Sequence, residues 1–137
     1  MDDIRKLIEN WARAVHEGDL DQVTAQHTDD IVMFDVPPPY EGVRGIGAYR
    51  DTWPGFFEWQ RSGAVFDIEE LDVVAGADVA YAFAIARCAD ATDDSPVRLR
   101  LTFGLKMVDG QWRIAHEHHS FPSELSGEDE IRALGDL

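Results

Sequence analysis

The hydrophobic period of the chain changes once for good. Up to about residue 60, apolar side chains return every three or four positions, apart from one short extended run; from Val65 onward they return at every second position. A helix buries a stripe and a strand buries a face, so a chain that switches in this way has to lay helices against a sheet. The predicted class is α+β: N-terminal helices cover one face of a strongly curved antiparallel sheet, and the two enclose a cone with one pocket.

The helical half is well punctuated. Ile4, Leu7, Ile8, Trp11, Ala14 and Val15 form one stripe, with Arg5, Lys6, Glu9, Asn10, Arg13 and Glu17 around the rest of the helix. Gly18 ends it, and Asp19 with Gln22 three residues later reads as a capping box that opens a second helix through about His27. Ile31 to Val36 is a β-branched and aromatic run stopped by Pro37, Pro38 and Pro39. From Gly45, the residues Ile46, Tyr49, Trp53 and Phe57 keep helical spacing, and Pro54 has to kink this helix or begin a new one.

The sheet half is predicted as Val65 to Val74, Val79 to Cys88, Val97 to Val108 and Gln111 to His119, the last two joined by an Asp109-Gly110 hairpin. Alternation puts Tyr81, Phe83, Ile85 and Arg87 on one face and Ala80, Ala82, Ala84 and Ala86 on the other. The bulky row is expected to face the pocket. The flat alanine row then leaves an uncovered sheet face, which predicts a homodimer. On the last strand, parity with Trp112 and Ile114 places His116 and His118 inward and leaves Arg113, Glu117 and His119 opposite.

Length and charge narrow the partners. A chain of 137 residues with 45% hydrophobic content suits a single domain, residues 1–137. A net charge of -15 repels phosphate backbones and anionic membrane surfaces, so nucleic acid and membranes are poor partners. Cys88, the only cysteine, rules out an internal disulfide, and Met1-Asp2-Asp3 lacks the basic start of a signal peptide; a cytoplasmic location is expected.

Four stretches carry a resemblance that spans most of the chain in the right order: Glu17-Gly18-Asp19-Leu20-Asp21, Asp29 to Asp35, Tyr40-Glu41-Gly42, and Gly110 to Ser120. Together they resemble the nuclear-transport-factor-2-like superfamily, with its ketosteroid isomerase and polyketide-cyclase (SnoaL-like) branches. The resemblance implies a cone fold, no cofactor, and either isomerase, dehydratase or cyclase chemistry or mere binding and dimerisation. It places Asp35 where the isomerases keep their proton-abstracting carboxylate. Trp11 stands where they have an oxyanion-stabilising tyrosine, and Thr102 lies near their second oxyanion donor, which points away from steroid-type isomerisation and toward the aspartate-and-histidine branches.

The candidate catalytic residues are therefore Asp35, His118 and His116. A carboxylate on an apolar wall is raised toward base strength, and imidazole titrates near neutrality; the alternative for Asp35 is turn capping, and for each histidine a satisfied place in the core. His116 and His118 with Asp35 or His27 could also ligate a metal, but no metal motif accompanies them and no metal is expected. Trp11, Tyr40, Trp53, Phe57, Tyr81, Phe83 and Arg87 are the candidate substrate-binding residues, and the expected ligand is a small hydrophobic or aromatic organic molecule.

Overall fold

Helix α1 (Asp2–Glu17) forms where the sequence is one-sided, and it buries Ile4, Leu7, Ile8, Trp11 and Val15 against the sheet. The protein is seen in a computed structural model that describes residues 2–123. Residues 124–137 of the expected single domain, together with Met1, lie outside the described residues. The Asp19 carboxylate accepts from the Gln22 backbone N–H and starts α2 (Leu20–Thr24). This helix is shorter than expected, because His27 already belongs to strand β1 (His27–Phe34). After the prolines come β2 (Val43–Arg44), α3 (Ile46–Asp51) and α4 (Trp53–Gln60). Pro54 sits in the first turn of α4, where its missing N–H is not needed, so it begins a new helix rather than kinking one. The Gln60 side-chain amide then donates to the Val15 and His16 carbonyls and ties α4 to the end of α1.

Four long strands follow: β3 (Ala64–Ala75), β4 (Val79–Asp90), β5 (Leu99–Val108) and β6 (Gln111–Ser120). The last hairpin turns at Asp109 (φ 52°) and Gly110 (φ 80°), the pair of positive angles a two-residue turn between twisted strands requires. The sheet is six-stranded, curved and unclosed, in the order β2-β1-β6-β5-β4-β3. It is antiparallel except where β1 runs parallel to β6, a departure from the all-antiparallel expectation that follows from the helix-containing excursion between β1 and the rest.

Two face assignments are corrected. On β4 the alanines point into the core, with Ala82, Ala84 and Ala86 buried, while Tyr81 and Phe83 stack on each other on the outer surface. The register gives the reason: Ala82 lies between Val73 and Phe103, Ala84 between Leu71 and Leu101, and Ala86 faces Leu99 on β5. Large neighbours on both sides fill the layer, and small residues between them leave room for α1 and the Trp11 ring, which packs edge-on to Phe66 and Phe103. Arg87 follows the outward row and donates to the Ala91 and Asp93 carbonyls, clamping its own loop. Hence the face left bare is the aromatic one and not the alanine row.

On β6 a bulge resets the parity. Gly104 pairs with His116 but Leu105 pairs with Ile114, so Ala115 is the extra residue. Beyond it Glu117 and His119 are buried and His118 is exposed, the reverse of the sequence expectation. Among the described residues no helix is long and apolar enough to cross a membrane.

Candidate functional site

Where α4 leaves the sheet uncovered, the core opens into a cavity of about 510 Å³. Trp53, Phe56 and Trp59 from α4 form one wall, Phe66, Cys88 and Leu99 from the sheet form another, and Phe121 lies beyond β6. The loop Asp35–Pro37 and His119 supply the polar end. Such a space, apolar with a few convergent polar groups, is the usual form of a small-molecule site.

Asp35 stands at its wall because β1 ends there: the first proline forces the chain out of the sheet. Its Oδ1 accepts from the Val36 backbone N–H at 2.8 Å and from His119 Nδ1–H at 3.2 Å. Oδ2 makes no hydrogen bond among the described residues. Capping thus occupies one oxygen of the carboxylate and leaves the other without a protein partner among them.

His119 is held from both sides, since its Nε2–H donates to Glu117 Oε1 at 2.9 Å. Glu117 in turn receives the Tyr49 hydroxyl at 2.7 Å and His27 Nε2–H on its Oε2, and Trp11 Nε1–H donates to the Tyr49 oxygen at 3.0 Å. The result is a chain of side chains from α1, α3, β1 and β6 that ends at the cavity. His119 meets only acceptors, so both ring nitrogens carry hydrogen and the ring is a cation between two anions. Burial alone would push its pKa down; the hydrogen bonds to Asp35 and Glu117 outweigh that and hold it up, at about 9. Glu117 shows the converse: burial would raise it, but the charge of His27 and the hydrogen bonds from His119 and His27 bring it to about 2. Tyr49 is raised well above its ordinary range by burial and by the Glu117 charge, which keeps it a phenol that donates. Burial and then the Asp35 charge lift the Cys88 thiol to about 11, so it is a neutral wall atom.

The structure brings together only some of the residues singled out from sequence. Asp35 and Trp53 line the cavity. Trp11 is buried behind it as a donor to the network, and Phe57 packs under Trp53 while its neighbour Phe56 takes the wall position. Tyr40 is 93% exposed on the proline loop, and Tyr81, Phe83 and Arg87 are on the outer face, so none of these four reaches the cavity. His116 and His118 are also outside, their rings edge-on to Phe34, with His116 Nδ1–H bonded to the Val32 carbonyl. Among the described residues no three His, Cys, Asp or Glu side chains are placed to hold a metal ion.

Missed from sequence were Glu117, His119, Tyr49 as a polar group, and Phe56. One signal for the first two was present. Phe121 is the next large apolar residue after Ile114, and it has the parity of 117 and 119 rather than that of 116 and 118; the change of phase between Ile114 and Phe121 requires a bulge.

Residues 4–124 match the SnoaL-like domain family. A nuclear-transport-factor-2-like protein of unknown function from Pseudomonas putida is 35% identical, with 91% of this chain and 88% of that one covered and a TM-score of 0.81. A candidate ketosteroid isomerase from Parabacteroides distasonis (19% identical, 90% and 88% covered, TM-score 0.69) and a candidate scytalone dehydratase from Novosphingobium aromaticivorans (16% identical, 90% and 84% covered, TM-score 0.68) share the fold. No curated protein matches the sequence.

Proposed function

The chain belongs to the SnoaL-like domain family, and from that premise we propose that it catalyses proton transfer on a small, largely apolar organic molecule, by isomerase, lyase or cyclase chemistry that needs no group beyond its own side chains. The observation that carries this is the state of Asp35: one oxygen is fixed by Val36 and His119, and the other is unspent at the wall of an apolar cavity. A base placed in this way takes a proton from carbon without first breaking a hydrogen bond within the protein. The neighbours named as a ketosteroid isomerase and a scytalone dehydratase fit the same class of chemistry.

The roles then divide. Asp35 is the base, and after abstraction it is the acid that returns the proton elsewhere on the ligand. His119 does not exchange protons with the ligand, because both its nitrogens are committed; it orients Asp35 and balances its charge. The aromatic walls hold the ligand flat against the carboxylate.

A second reading is favoured by the completeness of the Glu117–His119–Asp35 chain: satisfied buried networks also serve only to specify a fold, and the cavity would then bind without reaction. Exchange of carbon-bound protons separates the two. In D2O, the protein should accelerate α-proton exchange of bicyclic ketones such as 2-tetralone over buffer of the same pH, as read by NMR. Binding without acceleration across a panel of such carbon acids would select the second reading.

A further inference from the structure

Glu117 is the one fully buried carboxylate among the described residues, and proton transfer at Asp35 does not use it directly. It also has more partners than a structural ion pair needs: His27 from β1, Tyr49 from α3 and His119 from its own strand all donate to it. Its two oxygens are divided between them, Oε2 to His27 and Tyr49 and Oε1 to His119 alone.

We propose that Glu117 is a positioning residue for Asp35, acting through His119: by holding the imidazole as a permanent double donor it fixes the orientation and the ionised form of the carboxylate two hydrogen bonds away. The proposal rests on the reading of Asp35 as the base, but its first test does not. The geometry leaves His119 little choice. With a neutral group in place of Glu117, Nε2 would face an amide able to accept or donate, and one carboxylate would remain where two had shared the cation. The charged and titratable groups facing this chain are His27, Tyr49, Glu117, Asp35 and, beside Asp35, the neutral Cys88 thiol of β4; α1 contributes only the Trp11 N–H, and the β5 residue opposite Glu117 is Phe103. Loss of the Glu117 charge is therefore not made good by another anion. The raised pKa of His119 agrees with this arrangement.

The test begins with the wild-type protein. Nitrogen NMR of the His119 ring at pH 7 should show both nitrogens protonated, and a neutral tautomer there would overturn the proposal without any variant. In Glu117→Gln the His119 titration should fall by about one pH unit or more. In Tyr49→Phe, which removes a donor but leaves the carboxylate, His119 should stay doubly protonated at pH 7. Should Glu117→Gln not fold, Tyr49→Phe and the wild-type spectrum still decide, because a neutral His119 in either contradicts the assignment. Where ketone exchange is measurable, its rate should fall in Glu117→Gln while ketone binding changes far less, since His119 and with it Asp35 lose their fixed orientation. An unchanged His119 titration in a folded Glu117→Gln protein would reduce Glu117 to a packing role. Absence of exchange in the wild type would count against the base at Asp35 and leave the NMR result standing.

Discussion

Glu117 and His119 carry opposite charges in a dry interior, and that makes stability depend on pH at both ends. His119 is raised from 6.5 to about 9, so its contribution is full below 6.5 and is lost as pH rises through about 9. Glu117 is lowered from 4.5 to about 2, so its contribution is full above 4.5 and is lost as pH falls through about 2. Thermal melts across pH should show the network's contribution greatest between 4.5 and 6.5, declining on both sides, with the alkaline decline removed in His119→Gln. A melting temperature still rising from pH 7 to pH 9 would contradict this. At this scale Asp35 and Trp53 were legible in the sequence, because a proline run and a helical stripe locate them. The partners of Asp35 were not. His116, Glu117, His118 and His119 are all polar, so nothing inside the stretch fixes which pair faces inward.

At the scale of elements, backbone geometry sets the site. The loop that presents Asp35 closes back on β1 at Gly42, where φ is 80° and an added Cβ would lie 2.5 Å from the Met33 carbonyl oxygen. Gly42→Ala should therefore cost about 1–3 kcal/mol in denaturant melts, combining positive-φ strain with a backbone clash. Gly47, in α3, has nothing within 4 Å of its would-be Cβ and no such angle. Gly47→Ala should stabilise by about 0.5–1 kcal/mol, and equal effects at the two positions would refute the distinction. The elements were largely legible, from the α1 stripe through the Pro54 start of α4 to the Asp109-Gly110 turn. What escaped was phase. The bulge at Ala115 reverses β6 by one residue, and on β4 the assumption that bulky residues point inward fails because Phe103, Leu101 and Leu99 on β5 already fill that layer.

For the whole molecule, the same reversal changes where a partner fits. Phe34, Tyr81, Phe83 and Val74 are exposed on the outer face of the sheet. The register flanks them with Glu70 and Asp72 on β3 and with Arg100, His116 and His118 on β5 and β6. A two-fold rotation would bring the acidic edge of one copy toward Arg100 of another, with the aromatic rows meeting between; we infer that a second copy covers this face. Light scattering should give a dimer at micromolar concentration and a monomer for Phe83→Glu. A wild-type monomer, or a dimer indifferent to Phe83→Glu, would contradict that placement. The α+β architecture was legible from the change of period, whereas the uncovered sheet face was tied to the wrong row of β4.

The central claim is that Asp35 Oδ2 is a working base in an apolar cavity, and Asp35→Asn tests it most directly, because it preserves shape and removes the basic oxygen. α-Proton exchange of a bound bicyclic ketone should fall on the order of a hundredfold or more, while its dissociation constant changes far less and the melting temperature falls modestly, because His119 loses a carboxylate that helps hold it as a cation. Unchanged exchange in the folded variant would make Asp35 a turn cap and contradict the account.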